Sequence, residues 1–99
     1  MAAQSIHQRV CNLIISLAGH EVNGVRNSEL ADALRVSRAT ISRDLAALEE
    51  IGITEQIPGL KERWRLGPKM IQVSRAHQEG MARIRHAVEE IDQRYSRQQ

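Results

Sequence analysis

Apolar residues recur at helical spacing from the start of the chain, where Ile6, Val10, Leu13, Ile14 and Leu17 form one stripe between Ser5 and Gly19. This pattern predicts a helix over about Ser5 to Ala18. Cys11, Ile15 and Ala18 add a second apolar strip, more than one core contact requires, so this helix is expected to help a subunit contact. Gly19, Asn23 and Gly24 then predict a turn with a short extended piece around Val25. Asn27 or Ser28 is the expected cap of a short helix to Leu34, with Leu30, Ala31 and Leu34 inward and Arg35-Val36 as the following turn. Ser37 is expected to cap the next helix at the N–H of Ala39 or Thr40. That helix should run to about Ile51, with Gly52 stopping it in a left-handed conformation.

The third helix has Ile41, Leu45 and Leu48 inward. Its other face carries Arg38, Thr40, Ser42, Arg43 and Ala46, a set of small, hydroxyl and guanidinium side chains rather than the Glu and Lys lattice of a solvated helix. Such a face suits close contact with a polar, shaped partner. After Gly52 the period changes to alternation across Ile53–Ile57 and Glu62–Leu66, which predicts a β-hairpin. Pro58-Gly59 are the residues a type II turn wants at its centre, and Trp64 and Leu66 should point inward while Arg63 and Arg65 point outward. Pro68 then opens a last helix to about Tyr95. In it Met70, His77, Ile84 and Ile91 alternate with Ser74, Met81, Val88 and Tyr95 in the a/d pattern of a coiled-coil seam. Ser74, His77 and Gly80 weaken the first half of the seam, so a packed or bent segment is expected there, with pairing through Met81, Ile84, Val88, Ile91 and Tyr95.

The 99 residues fit one small domain plus a helix, divided here as 1–67 and 68–99. Hydrophobic residues at 41% and charged residues at 26% describe a globular chain. No apolar run is long enough for a membrane span and no signal peptide is visible, so a cytoplasmic protein with no membrane partner is expected. The single Cys11 forms no internal disulfide. With one Trp, one Tyr and no Phe, the core must be aliphatic and base stacking has little to work with. A net charge of +2 decides little. Its distribution says more: Arg35, Arg38, Arg43 and then Lys61, Arg63, Arg65 and Lys69 form two basic clusters, with Asp44, Glu49, Glu50 and Glu55 between them.

Helix, short helix, tight turn, longer helix and basic hairpin make up a mainly α fold with a small β-hairpin wing: a winged helix-turn-helix followed by a long helix. In such a unit the second helix of the pair enters the major groove of double-stranded DNA, so the expected contact residues are Ser37, Arg38, Ala39, Thr40, Ser42 and Arg43. Arginine can pair with guanine, the hydroxyls with several edges or with phosphate, and Ala39 or the Thr40 methyl with a thymine methyl. Lys61, Arg63 and Arg65 are expected on phosphates, a role that carries little sequence information. Trp64 fits a core position better than a stacking platform. His7 and Cys11 lie one turn apart but have no third ligand near them, so no metal and no cofactor is expected. His77 is read as a tolerated polar position on the seam. No nucleophile–base pair or phosphate-cradling glycine loop is present, so the chain reads as a non-enzyme.

The segments Asn27-Ser28-Glu29-Leu30-Ala31, Val36 to Arg43, Leu48 to Gly52 and above all Arg63-Trp64-Arg65-Leu66-Gly67-Pro68-Lys69 resemble the N-terminal DNA-binding domain of the IclR family of bacterial transcription regulators. The resemblance covers about Ser5 to Ser74, and the aromatic-Arg-Leu-Gly-Pro-Lys exit from the wing is its most specific part. It implies a bacterial or phage regulator that binds DNA as a homodimer, with Arg38, Thr40, Ser42 and Arg43 on the recognition helix and Arg63 and Arg65 on the wing. Arg35 and Glu62 stand where the family often has Gly. A left-handed backbone at Arg35 would cost about 1 kcal/mol, and Glu62 raises the same question for the wing. The family's effector domain has no counterpart in these residues, so no small-molecule effector is expected within this chain. The stretch Ile84 to Tyr95 resembles the helix that opens that domain, which leaves two readings: the start of a longer regulator, or a helix that only dimerises. Two other functions stay in view, a protein-interaction or assembly module and a DNA-binding accessory protein with weak sequence preference.

Overall fold

The computed structural model describes residues 4–97, as a winged body and one projecting helix. Helix α1 (Ile6–Leu17) begins at Ser5, whose hydroxyl accepts the Gln8 N–H while the Gln8 side chain accepts the Ser5 N–H, a complete capping box. Strand β1 (Val25–Arg26) leads directly into α2 (Asn27–Leu34). The residue flanking α2 is Arg26, and no side chain caps the helix. Neither Asn27 nor Ser28 has the expected capping role, because both already lie within the helix and the Asn27 amide is engaged by other elements. Helix α3 (Arg38–Glu50) starts as expected from Ser37, whose hydroxyl accepts the Thr40 N–H at 3.1 Å.

Strands β2 (Thr54–Gln56) and β3 (Arg63–Leu66) form the wing, and β1 joins them in an antiparallel sheet of order β1-β3-β2. The register sets Val25 and Gln56 opposite Trp64, and Glu55 opposite Arg65. The extended piece around Val25 is therefore a third strand of the sheet rather than a free connection. At the wing tip the Leu60 N–H donates to Ile57 O at 3.0 Å and Gly59 has φ +79°, the type II geometry that Pro58-Gly59 predicts.

Leu13, Leu17, Leu30, Ala31, Ile41, Leu45 and Trp64 form the core, with Val25, Leu34, Val36, Leu48 and Leu66 packed around it. Full burial of each large aliphatic side chain is worth about 1.5–3 kcal/mol. Trp64 thus lies inside, as its alternation with the arginines predicts. Ile6 does not join the core: it is 65% exposed, and within α1 only Leu13 and Leu17 reach full burial. The second strip of α1 stays outside, with Cys11 and Ile15 exposed.

Helix α4 (Pro68–Arg97) is one uninterrupted helix of 30 residues. The first half, expected to be packed or bent at Ser74, His77 and Gly80, carries no break, and these residues are not buried. Met70 is half-buried beside the body, and from Ile71 onward every described side chain is exposed, although Ser74, Arg75 and Gln78 still flank an open groove with Glu21 and Leu66. The projection stretches the molecule to 65 × 39 × 20 Å. Its departure point is fixed by backbone bonds: the Gly67 N–H donates to Ile53 O at 2.8 Å and the Lys69 N–H to Gly52 O at 2.9 Å. A side chain at Gly67 would run into the carbonyl oxygens of Gly52 and Thr54. That contact is a physical reason for glycine in the Leu-Gly-Pro-Lys exit.

Candidate nucleic-acid interface

Two left-handed residues shape the turn that presents α3 and the wing beside it. At the end of α2, Arg35 adopts φ +58° and ψ +46°, while the Arg35 N–H donates to Asp32 O and the Val36 N–H to Ala31 O. This is a Schellman closure built with arginine in the position glycine usually takes. In the wing, Glu62 adopts φ +66° inside a second turn in which the Arg63 N–H reaches Leu60 O. The structure therefore keeps the glycine-like backbone at both departures and accepts the local strain, about 1 kcal/mol or more at each. Gly52 closes α3 in the same manner with φ +81°.

Long-range contacts hold α3 against the body. Asp44 accepts from Arg9 Nε at 2.7 Å and from Arg9 Nη2 at 3.2 Å, a two-point ion pair joining α1 to α3. The hydrogen bond that Arg9 donates to Asp44, and to a lesser degree the Asp44 charge, raises the Arg9 pKa further above an already high value, so this guanidinium stays charged. Thr54 Oγ1, fully buried, donates to Leu45 O at 2.8 Å and joins β2 to the middle of α3. Asn27 forms the third tie. Its Oδ1 accepts from Trp64 Nε1 at 2.8 Å and its Nδ2 donates to Ser42 Oγ at 2.9 Å, so one amide links the wing, α2 and the outer face of α3.

The side chains predicted to face a partner divide into two groups. Arg38, Ala39, Ser42 and Arg43 are exposed on the N-terminal half of α3. Among the described residues, neither the Arg38 nor the Arg43 guanidinium forms an ion pair or an internal hydrogen bond, and Lys61 at the wing tip is likewise unpaired and exposed. Thr40 is half-buried, and its hydroxyl accepts from Ser37 Oγ at 2.9 Å, which couples both residues to the helix start. Arg63 and Arg65 do lie across the sheet from the core, yet both are half-buried and engaged. Arg65 Nε pairs with Glu55 at 2.8 Å, and Arg63 Nη1 donates to Asn23 O at 3.2 Å. Of these three wing cations, Lys61 alone has neither an ion pair nor an internal hydrogen bond among the described residues.

Sequence reasoning missed Arg9, Asp44, Thr54 and Asn27 as the parts that hold the interface. Their partners lie 9 to 37 residues away along the chain, so no local pattern marks the pairs. The register offers one retrospective signal: once β2 and β3 are aligned, Glu55 and Arg65 must face each other.

A family model described as an HTH domain matches residues 12–63, more than half of the chain. The chain belongs to the HTH domain family. The family match begins inside α1 and ends at the first residue of β3, so α4 lies beyond it. Among solved structures, an IclR family transcriptional regulator from Brucella abortus superposes with TM-score 0.58 at 22% identity, covering 70% of this chain and 26% of that one. The ORF112-Zalpha domain of Cyprinid Herpesvirus3, solved for its binding to Z-DNA, superposes with TM-score 0.53 at 19% identity over 64% of this chain and 98% of that one. At these identities the likeness is one of fold, and it is the winged helix-turn-helix fold that the order of elements predicts. No curated protein matches the chain. Among the described residues no helix is long and apolar enough to cross a membrane.

Proposed function

We propose that this HTH domain protein is a transcription regulator that binds double-stranded DNA sequence-specifically as a homodimer. Helix α3 lies in the major groove and the wing rests on the adjacent backbone or minor groove. The observation that carries this reading is the exposed N-terminal half of α3. Arg38 and Arg43 stand there unpaired among small and hydroxyl side chains, on a helix tied to the body at Asp44, Leu45 and Ser42. Guanidinium groups so presented suit guanine O6 and N7 or phosphate, and Ala39 leaves room for close approach to a thymine methyl. Lys61 supplies the wing's phosphate contact, with Arg63 and Arg65 chiefly shaping the sheet.

Residues 68–99 act in this reading as the dimerisation segment. Met81, Ile84, Val88, Ile91 and Tyr95 are 40–68% exposed on α4 at coiled-coil spacing, and a second copy of the helix would cover them. Two recognition helices would then meet successive major grooves on one face of the duplex. The chemistry on the surface is that of binding rather than catalysis.

A titration of a labelled mixed-sequence duplex from about 50 to 200 mM salt tests the reading, since each phosphate contact adds about 0.9 to the log–log slope. A steep slope that becomes shallower, or a site preference that relaxes, in Arg43→Ala supports α3 on DNA. Absence of binding at low salt would overturn it in favour of a protein-interaction module. Equal affinity for unrelated duplexes would replace sequence-specific regulation with an accessory role.

A further inference from the structure

The Asn27 bridge has a polarity that can be read without ambiguity. An indole Nε1 only donates, so the amide atom facing Trp64 at 2.8 Å must be the carbonyl oxygen. That leaves the amide nitrogen facing Ser42, and an NH2 group only donates, so Ser42 Oγ at 2.9 Å must accept. The bridge is anchored at both ends. Trp64 is a core residue, and the Asn27 backbone N–H donates to Glu62 O at 3.1 Å, so the amide has little freedom to turn over. Ser42 itself is exposed, one helical turn from Arg38 and adjacent to Arg43, and among the described residues no acceptor takes its O–H.

We infer that Asn27 is a specificity-setting positioning residue: held by the buried Trp64 indole, it biases Ser42 towards donating a hydrogen bond to the DNA base edge. A serine hydroxyl in water reads donors and acceptors alike. Here one of the two lone pairs is held by Asn27, which leaves the hydrogen and a single lone pair outward and polarises the O–H, so the side chain is biased towards an acceptor such as guanine N7 or O6, thymine O4 or adenine N7. It disfavours the cytosine amino group. A wing residue buried in the core would thereby set what the recognition helix reads. This inference rests on the proposed placement of α3 in the major groove.

The test is selection of the protein on a duplex library with a randomised centre, run beside Asn27→Asp, Ser42→Ala and Trp64→Phe. The wild-type protein should disfavour cytosine at one position of each half-site by about 2- to 10-fold, the range of one hydrogen bond. In Asn27→Asp the carboxylate accepts from both Trp64 and Ser42, turning the hydroxyl hydrogen inward and its lone pairs outward. Preference at that position should move to bases that offer an amino group, cytosine or adenine. The added charge weakens all duplexes together and cancels in the comparison between sequences. Ser42→Ala, at an exposed site that keeps the fold, should lose the preference at that position alone, and Trp64→Phe, which frees the amide to turn, should broaden it.

Selected sites identical to wild type in Asn27→Asp or Ser42→Ala would overturn the inference while leaving the functional reading intact. If the wild-type protein selected no duplex at all, the functional reading would fail, and the base-edge role of Ser42 with it. The bridge itself is checked in the free protein, where the Trp64 indole N–H resonance should move in Asn27→Ala and stay nearly in place in Asn27→Asp. An indole resonance unmoved by Asn27→Ala would overturn the bridge directly.

Discussion

The winged body and helix α4 satisfy their apolar residues in opposite ways. In the body, seven core side chains from α1, α2, α3 and β3 meet each other, and the ties Arg9–Asp44, Thr54–Leu45 and Asn27–Trp64 close within a single copy. In α4, 30 residues long, no side chain is buried, and its aliphatic stripe faces solvent. The body can therefore fold as a unimolecular event. A solitary helix with an interior glycine is marginal in water, so the order of α4 should depend on what covers it. The exposed arginines of α3 thus belong to the self-sufficient region, and the uncovered apolar stripe belongs to the region that is not.

The largest expected effect lies in the body. Leu45→Ala opens a cavity beneath α3 and should lower unfolding stability by about 2–5 kcal/mol. Denaturant melts should show this loss equally at low and high protein concentration. A loss that grew on dilution would mean that the core, too, is completed by a second copy.

A middle-sized effect lies in α4. Ile84→Asp combined with Ile91→Asp puts charges on the seam and should convert the proposed dimer to a monomer in sedimentation. Far-UV circular dichroism should fall by part of the α4 signal, while the midpoint of the Trp64 fluorescence transition stays near that of the parent. A double variant that remained dimeric would move the interface to the exposed strip of α1, at Cys11 and Ile15, which the sequence marks as a second apolar face.

The smallest expected effect sharpens the description of the body itself. Arg35→Gly or Glu62→Gly removes left-handed strain from a non-glycine residue but frees the unfolded chain, so the net gain should be at most about 1 kcal/mol. The denaturation midpoint should rise slightly with an unchanged slope. A fall in midpoint at either position would show that the side chain contributes contacts that outweigh the strain.

Local rules account for much of what was legible. Ser5 and Ser37 cap helices because a hydroxyl before an amphipathic run can satisfy a free N–H, and Pro58-Gly59 make a type II turn because few other pairs suit its two centres. Strict alternation placed Trp64 inside. The same alternation placed Arg63 and Arg65 outside, but it could not tell that Glu55 and Asn23 would engage them there. Asn27 shows the limit most clearly. Its residue type and position suit a helix cap, and the capping role is lost because an indole and a hydroxyl brought in from elsewhere use the amide instead.

The amino-acid sequence by itself determined the order of elements, the starts of α1, α3 and α4, the wing turn, the faces that are apolar and the basic positions on α3, since each depends on neighbours within a turn or two. Only the tertiary structure decided which polar groups answer one another: Arg9 with Asp44, Thr54 with Leu45, Glu55 with Arg65, and Asn27 between Trp64 and Ser42. It also decided where α4 departs from the sheet, through the close backbone contact at Gly67. The physical reason is common to all of these. Hydrophobic periodicity is repeated many times and survives averaging along a chain, whereas a hydrogen bond is a single contact whose partners become visible only when folding has brought distant segments within 3 Å or so of each other.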